Sequence, residues 1–269
     1  MLWLPFICAK QQSKVIKSDE IKNIKSYWNK QAVLNKDAAA IDPADHLGRK
    51  NTYIAHCRNL AIESALKNIP TGARVLDYGC VSGTFLSWLM DWRPDISGYG
   101  ADFSLEMLRL ALTVNPEIDG HITACNGKHL PFQNDSFDSI CTAITLIYLL
   151  EDRALLTLAR EFRRTLVPGG VVVSVEQVRR NTHHQPGYHK IQRSPEELIR
   201  IFGQAGFELL EWRPIRRGRF PLIYLIRYGL IPTRWHDYIA RIEAHLWPKL
   251  QVPQLDYADA LFVWQTAMD

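Results

Sequence analysis

In the stretch VLDYGCVSGTFL, residues 75–86, an acid, Asp77, closes an apolar run, and two glycines, Gly79 and Gly83, follow before a helical pattern opens. This is a buried strand turning into a helix through a bend where glycine lets the backbone come close to a ligand. A dinucleotide fingerprint G-x-G-x-x-G begun at Gly79 would need glycines where Val81 and Thr84 stand, so a nicotinamide cofactor matches poorly. Val81 is β-branched and enters positive φ only at a cost, so the bend is expected either to keep ordinary angles there or to stand farther from its ligand. A second chemical group lies in the polar stretch VRRNTHHQPGYHKIQR, which holds His183, His184 and His189. Histidine is the side chain whose charge changes near neutral pH, hence a ready general base. No acid or cysteine at fitting spacing joins the three, so a metal site is not expected.

These residues need a scaffold, and its pattern is visible. RVLDYG, GYGADF, HITAC, SFDSICTAITLIYL, VVVSVEQ and FELLEWRPI read as strands. Helical patterns alternate with them, one capped by Ser104 and another opened by the capping box Ser194-Pro195-Glu196-Glu197. A helix from Arg153 to Leu166 is expected, stopped by Pro168-Gly169-Gly170. The alternation predicts an α/β fold, a mostly parallel sheet with helices on both faces. Residues 19–35 and 50–68 read as amphipathic helices before the first strand, and 213–254 as a mostly helical insertion before a last strand in DYADALFVWQTAM.

Bulk properties narrow the class. A chain of 269 residues with 47% hydrophobic content buries one good core. Five scattered cysteines without a C-x-x-C pair argue against a disulfide framework and for a reducing, cytoplasmic setting. A formal charge of +4 is too weak to imply nucleic acid. The arginines, however, crowd into RPIRRGRFPLIYLIRYGLIPTRW around apolar residues, a mixture suited to an anionic membrane surface or a phosphate-bearing substrate, or to a helical cap with solvated arginines. The opening MLWLPFICAK is too short to span a bilayer.

The pattern acidic-x-G-x-G-x-G matches at Asp77, Gly79 and Gly83 and misses only at Val81, and in this the chain resembles the class I S-adenosylmethionine-dependent methyltransferases of the type 11-like branch. Further phrases extend the resemblance over about residues 50–212: GYGADFSLEML, CNGKHLPFQNDSFDSI, REFRRTLVPGGVVVSVE and SPEELIRIFGQAGFEL. It implies a Rossmann-like seven-stranded sheet whose last strand, from 255–269, inserts antiparallel between the fifth and sixth. It also implies an N-terminal helical lid over 1–49, a core over 50–212 and a substrate cap over 213–254. In such a protein Asp77, Gly79, Cys80 and Gly83 would cradle the amino-acid end of S-adenosylmethionine. Asp102 would accept both ribose hydroxyls. Phe103 and Met107 would pack near the adenine, with Asn126 and Gly127 at its edge, Asn126 replacing the usual acid.

Methyl transfer is an in-line displacement in which alignment supplies most of the rate, and a base is optional. For a hydroxyl acceptor, His184 and His189 are the expected bases. Tyr148, Glu176 and Arg193 would face the substrate by position. The expected activity is O-methylation of a small molecule or glycan in the cytoplasm, with peripheral contact at the inner membrane surface as an added feature. A non-catalytic cofactor-binding module and an N- or C-methyltransferase are the alternatives. RNA is disfavoured because ITLIYL stands where an acidic-Pro-Pro-aromatic motif would follow the fourth strand.

Overall fold

The computed structural model describes residues 18–34, 45, 47–127, 129–185, 189–217, 222–246 and 258–267. The opening MLWLPFICAK lies outside the described residues. Two helices, α1 (Ser18–Leu34) and α2 (Arg49–Leu66), come first. Then strands and helices alternate: β1 (Arg74–Tyr78), α3 (Thr84–Trp92), β2 (Ser97–Asp102), α4 (Leu105–Val114), β3 (Ile122–Ala124), β4 (Phe137–Ala143), α5 (Asp152–Thr165) and β5 (Leu166–Val178). After these come a hairpin of β6 (His183–Gln185) and β7 (Lys190–Gln192), then α6 (Pro195–Gln204) and β8 (Phe207–Arg217). The chain continues through α7 (Leu222–Arg227), α8 (His236–Leu246) and β9 (Ala258–Thr266).

Seven strands form one sheet in the order β3-β2-β1-β4-β5-β9-β8, and β9 runs antiparallel between β5 and β8. This is the mostly parallel sheet expected from the alternation, with the antiparallel last strand that the resemblance implied. The two faces carry separate cores. Leu155, Leu158 and Phe162 of α5 pack with Leu198 and Phe202 of α6 on one face, where Phe202 stacks on Trp264 at 4.0 Å. Ala61, Ile62 and Leu66 of α2 pack with Leu89 of α3 against Val173, Val175, Leu261 and Val263 on the other. Because alternate residues of β5 and β9 enter opposite cores, each strand reads as nearly continuous apolar sequence.

Three local readings change. Pro168-Gly169-Gly170 does not end the helix by breaking the chain: α5 stops at Thr165 and β5 already runs from Leu166 through the glycines, with a register irregularity against β4 between Phe137 and Ser139. The apolar run SFDSICTAITLIYL is strand only to Ala143, and Leu146–Tyr148 form a single 3-10 turn. Strand β8 continues to Arg217, so Arg213, Arg216 and Arg217 belong to the sheet and not to the helical insertion.

The bend between β1 and α3 relies on glycine for two reasons. Gly83 has φ of 74°, and a Cβ there would run into the Ile118 side chain. Gly83→Ala combines left-handed strain with overpacking, and a loss of about 2–4 kcal/mol is expected. Urea denaturation checks this; an unchanged midpoint would show that the bend relaxes freely.

Candidate functional site

The strand ends Tyr78, Asp102, Ala143 and Val178 lie along one edge of the sheet, where an open α/β fold receives its ligand. Asp102, buried there, accepts hydrogen bonds from two loops at once. The Val81 amide donates to Oδ2 at 3.1 Å and the Ser104 amide to Oδ1 at 2.8 Å. Burial pushes this carboxyl up to about 6, and the Ser104 and Val81 amides pull it part of the way back. A carboxylate has about four acceptor positions, so two remain for a ligand's hydroxyls.

Val81 corrects an expectation. Its φ is 48°, so the β-branched residue does occupy the left-handed region, beside the ligand edge. The bond to Asp102 holds its backbone, while its side chain packs among Ile24, Tyr27, Trp28, Phe103, Met107 and Tyr148. A glycine would have been easier on the backbone but would have left this apolar cluster without a member.

Asp77 lies deeper in the same bend. Its Oδ2 is buried without a partner. Burial, and then the charge of Asp102, push the Asp77 carboxyl up to about 8. Gly79 has φ of 80° and lies against Thr145, whose Oγ1 would be 2.5 Å from an added Cβ. Cys80 is buried, and burial raises its thiol well above the usual range. Asn126 turns its Oδ1 to the His129 amide at 2.7 Å. Gly127 has φ of 75° with open space where a side chain would be, and its carbonyl accepts from the Tyr78 hydroxyl at 3.3 Å.

Helix α1 covers this edge. Trp28 meets the Tyr148 ring edge-on at 5.3 Å, and Asn29 Oδ1 accepts from the Ser104 hydroxyl at 2.7 Å. Ser104 thus caps α4 through Met107 and fastens α1 in the same place.

Beyond Tyr148 lies a second set of polar groups. Glu176 is 1% exposed. Its Oε1 accepts from the Thr145 and Leu146 amides, each at 3.1 Å, while its Oε2 is buried without a partner. Burial lifts the carboxyl to about 7 against the opposing pull of those amides. Lys190 sets its ammonium 5.4 Å from the centre of the Tyr148 ring. Arg58 of α2, 7% exposed, donates through Nη2 to Asp259 Oδ2 at 3.2 Å, and Arg216 Nη1 reaches the same oxygen at 3.3 Å. Glu243 accepts from the Tyr53 hydroxyl at 2.7 Å and the Arg217 amide at 3.1 Å.

The histidines stand apart from this set. The stretch read as a loop is the β6–β7 hairpin, with His183 and His184 exposed and His189 half-buried at φ of 48°. The hairpin presents Lys190, Ile191 and Gln192 inward instead, and Gln192 ties it to Gln177 of β5 at 3.2 Å. Arg193 spends its donors on Asp152 Oδ1 at 3.0 Å and the Leu149 carbonyl at 2.7 Å, so it anchors the segment ahead of α5. Arg58 and Lys190 had no motif to mark them. The acid Asp259 at the head of an alternating apolar strand was the one local hint, since a buried acid calls for a cation.

Among the described residues no group of three or more His, Cys, Asp or Glu side chains could hold a metal ion, and no helix is long and apolar enough to cross a membrane.

S-adenosylmethionine offers an ammonium and a diol, and the edge offers a partnerless buried carboxylate oxygen on Asp77 and spare acceptor capacity on Asp102, so the residues fit this group. Residues 75–170 match the family model described as a methyltransferase domain. A demethylmenaquinone methyltransferase of Roseiflexus castenholzii (strain DSM 13941 / HLO8) is 37% identical over 118 residues, 43% of this chain and 47% of that protein. The chain thus spans about half the length of the demethylmenaquinone relatives it matches. Methyltransferase GfsG of Streptomyces halstedii is 25% identical over 239 residues, 82% of each chain. The geranyl diphosphate C-methyltransferase of Streptomyces coelicolor A3(2) shares the fold, with a TM-score of 0.60 and 17% identity over 92% of this chain and 98% of that one. The matched segment runs from β1 into β5 and carries Asp77, the two glycines and Asp102, so the similarity to methyltransferase domains falls on the strands and bend that form the ligand edge.

Proposed function

We propose that the protein transfers a methyl group from S-adenosylmethionine to a hydroxyl of a small-molecule acceptor, a free metabolite or a glycan. The observation that carries this reading is Asp102, held by two backbone amides with acceptor capacity left over at the end of β2. The proposed cofactor set is Asp77, Gly79, Cys80, Gly83, Asp102, Phe103, Met107, Asn126 and Gly127. When bound, the cofactor supplies an electrophilic methyl on a sulfonium that leaves as a neutral thioether. Asp77 holds the ammonium, Asp102 the ribose, and Val81 with Trp28 excludes water from the apolar flank. The relatives named demethylmenaquinone methyltransferase support a small organic acceptor.

The acceptor side is the wall of Tyr148 and Glu176. With the cofactor bound to supply the methyl group, Glu176 Oε2 would take the proton that the acceptor hydroxyl loses on methylation. Glu176 serves better than His184 or His189 because its free oxygen is buried at the strand end, whereas His184 is exposed on the hairpin. The two histidines stand as the competing bases.

A peripheral contact with an anionic membrane has its own support. Tyr224, Tyr228, Leu230, Trp235 and Tyr238 are exposed on α7, α8 and their connection, with Tyr228 and Leu230 each at 69% and Arg234 exposed among them. Aromatic and basic side chains together suit a headgroup layer.

Three outcomes are expected. Asp102→Ala loses two charge-assisted contacts at about 1.5–3 kcal/mol each, so calorimetry is expected to show S-adenosylhomocysteine binding weakened by at least tenfold; unchanged affinity would remove the cofactor reading. Because Glu176 must be ionised to take a proton and ionises near 7, turnover is expected to rise as pH passes through about 7 and then level off. Glu176→Gln should abolish that rise, while His184→Ala/His189→Ala should keep it; the reverse pattern assigns the base to the hairpin. Finally, Tyr228→Ser/Trp235→Ser should reduce co-sedimentation with vesicles of phosphatidylglycerol and phosphatidylcholine at low salt. Equal pelleting of wild type and variant, or none of either, would end the membrane reading.

A further inference from the structure

Arg58 and Lys190 are buried or half-buried cations that the cofactor site does not use. Arg58 crosses from α2 to the ligand edge. One of its nitrogens meets Asp259, but its Nε is buried without a partner. Asp259 is shared with Arg216, whose Nη1 reaches the same oxygen at 3.3 Å and whose Nε lies 4.0 Å from Glu243. Glu243, the next acid, is occupied by Tyr53 and the Arg217 amide. Lys190 has only the Tyr148 ring face, 5.4 Å away, and no hydrogen bond or ion pair among the described residues.

The two cations also act on one another. The Lys190 ammonium is lowered from its ordinary range first by burial and then by the positive charge of Arg58. Both lie within electrostatic reach of Tyr148, Arg58 directly and Lys190 over its ring, and Arg58 is felt at Glu176 as well. Two like charges held toward one space inside a protein repel, and the repulsion grows as water is excluded. Such an arrangement has a physical purpose when an anion completes it. Glu176 does not fill that place: its Oε1 is committed to the Thr145 and Leu146 amides, and its Oε2 meets no donor. The protein therefore holds cationic donors and one carboxylate oxygen, all with unused hydrogen-bonding capacity, around Tyr148. Buried polar groups without partners are rare enough to need an explanation, and a bound ligand supplies it.

We propose that Arg58 and Lys190 form an oxyanion subsite for the methyl acceptor, which carries a carboxylate or phosphate seated between them, next to Tyr148 and within reach of the Glu176 side. The proposal rests on the methyltransferase reading, because it takes the acceptor to lie at the end of β5, beside the bound cofactor. A planar guanidinium with a free edge and a flexible ammonium together recognise a delocalised oxyanion, which neither a neutral alcohol nor an amine would satisfy. The site selects acceptors by charge before any shape is read.

The test uses the full chain loaded with S-adenosylhomocysteine and titrated calorimetrically at pH 7 with inorganic phosphate and, separately, with benzoate. Binding of one of them is expected, and which one binds decides between a phosphate ester and a carboxylate. Lys190→Met is expected to weaken that binding by at least tenfold with S-adenosylhomocysteine affinity unchanged. Arg58→Gln should do the same, and Arg58→Lys should restore less than half of the loss in binding free energy. Lys190→Met, at a half-exposed position, keeps the test valid if the Arg58 variants do not fold. Neither anion binding at millimolar concentration, or equal binding by wild type and Lys190→Met, overturns the subsite. Failure of S-adenosylhomocysteine itself to bind would instead overturn the reading beneath it.

Discussion

A single carboxylate joins the moving parts of the ligand edge. Asp102 takes the Val81 amide with one oxygen and the Ser104 amide with the other, so the bend after β1 and the start of α4 are set by the same group. Ser104 in turn caps α4 and holds Asn29 of α1. Removing the carboxylate would free two amides and release the left-handed backbone of Val81 from the bond that holds it at the bend. Because α1 packs on Val81 and Met107, that loss would spread to the covering helix. The bend after β1, the start of α4 and helix α1 are thus one mechanical unit.

The acids along this edge share an energetic state. Asp77, Asp102 and Glu176 end or nearly end β1, β2 and β5, and burial raises all three, to about 8, about 6 and about 7. A carboxyl whose folded pKa is raised stabilises the fold at low pH, and that contribution is lost as pH rises from the ordinary carboxylate range through the folded value. At neutral pH burial opposes the ionised form of each, and most strongly that of Asp77. The large cores on both faces of the sheet carry that cost, and a cationic or hydroxyl-bearing ligand relieves it. Binding strength is therefore stored in the protein before the ligand arrives.

What the sequence revealed and concealed follows a physical division. The sheet was legible because strands buried on both faces must be apolar along their length and helices between them must be amphipathic; Val171–Val175 and α5 obey both rules. Asp77, Gly79, Gly83 and Asp102 were legible because strand ends and glycine bends are local. The bend's true angle at Val81 was not, since its strain is offset by Asp102 and Trp28, both distant in sequence. The hairpin was also hidden: its histidines drew attention by residue type, yet β7 presents Lys190, Ile191 and Gln192 inward while His184 is exposed on β6. Arg58 had no local mark, because its partner Asp259 lies 201 residues away.

Those long-range pairs explain how the two ends of the chain act together. Tyr53 bonds Glu243 across 190 residues and Arg58 bonds Asp259 across 201, so α2 is stapled to α8 and β9 by buried polar contacts. Breaking a buried pair by removing one partner leaves an uncompensated charge, a cost of about 3–5 kcal/mol. Helix α1 is held over the edge by apolar packing and the Ser104–Asn29 bond. Helix α2 is part of the wall that positions Arg58. A ligand large enough to touch Val81 and Tyr148 meets α1 through the same aromatic cluster.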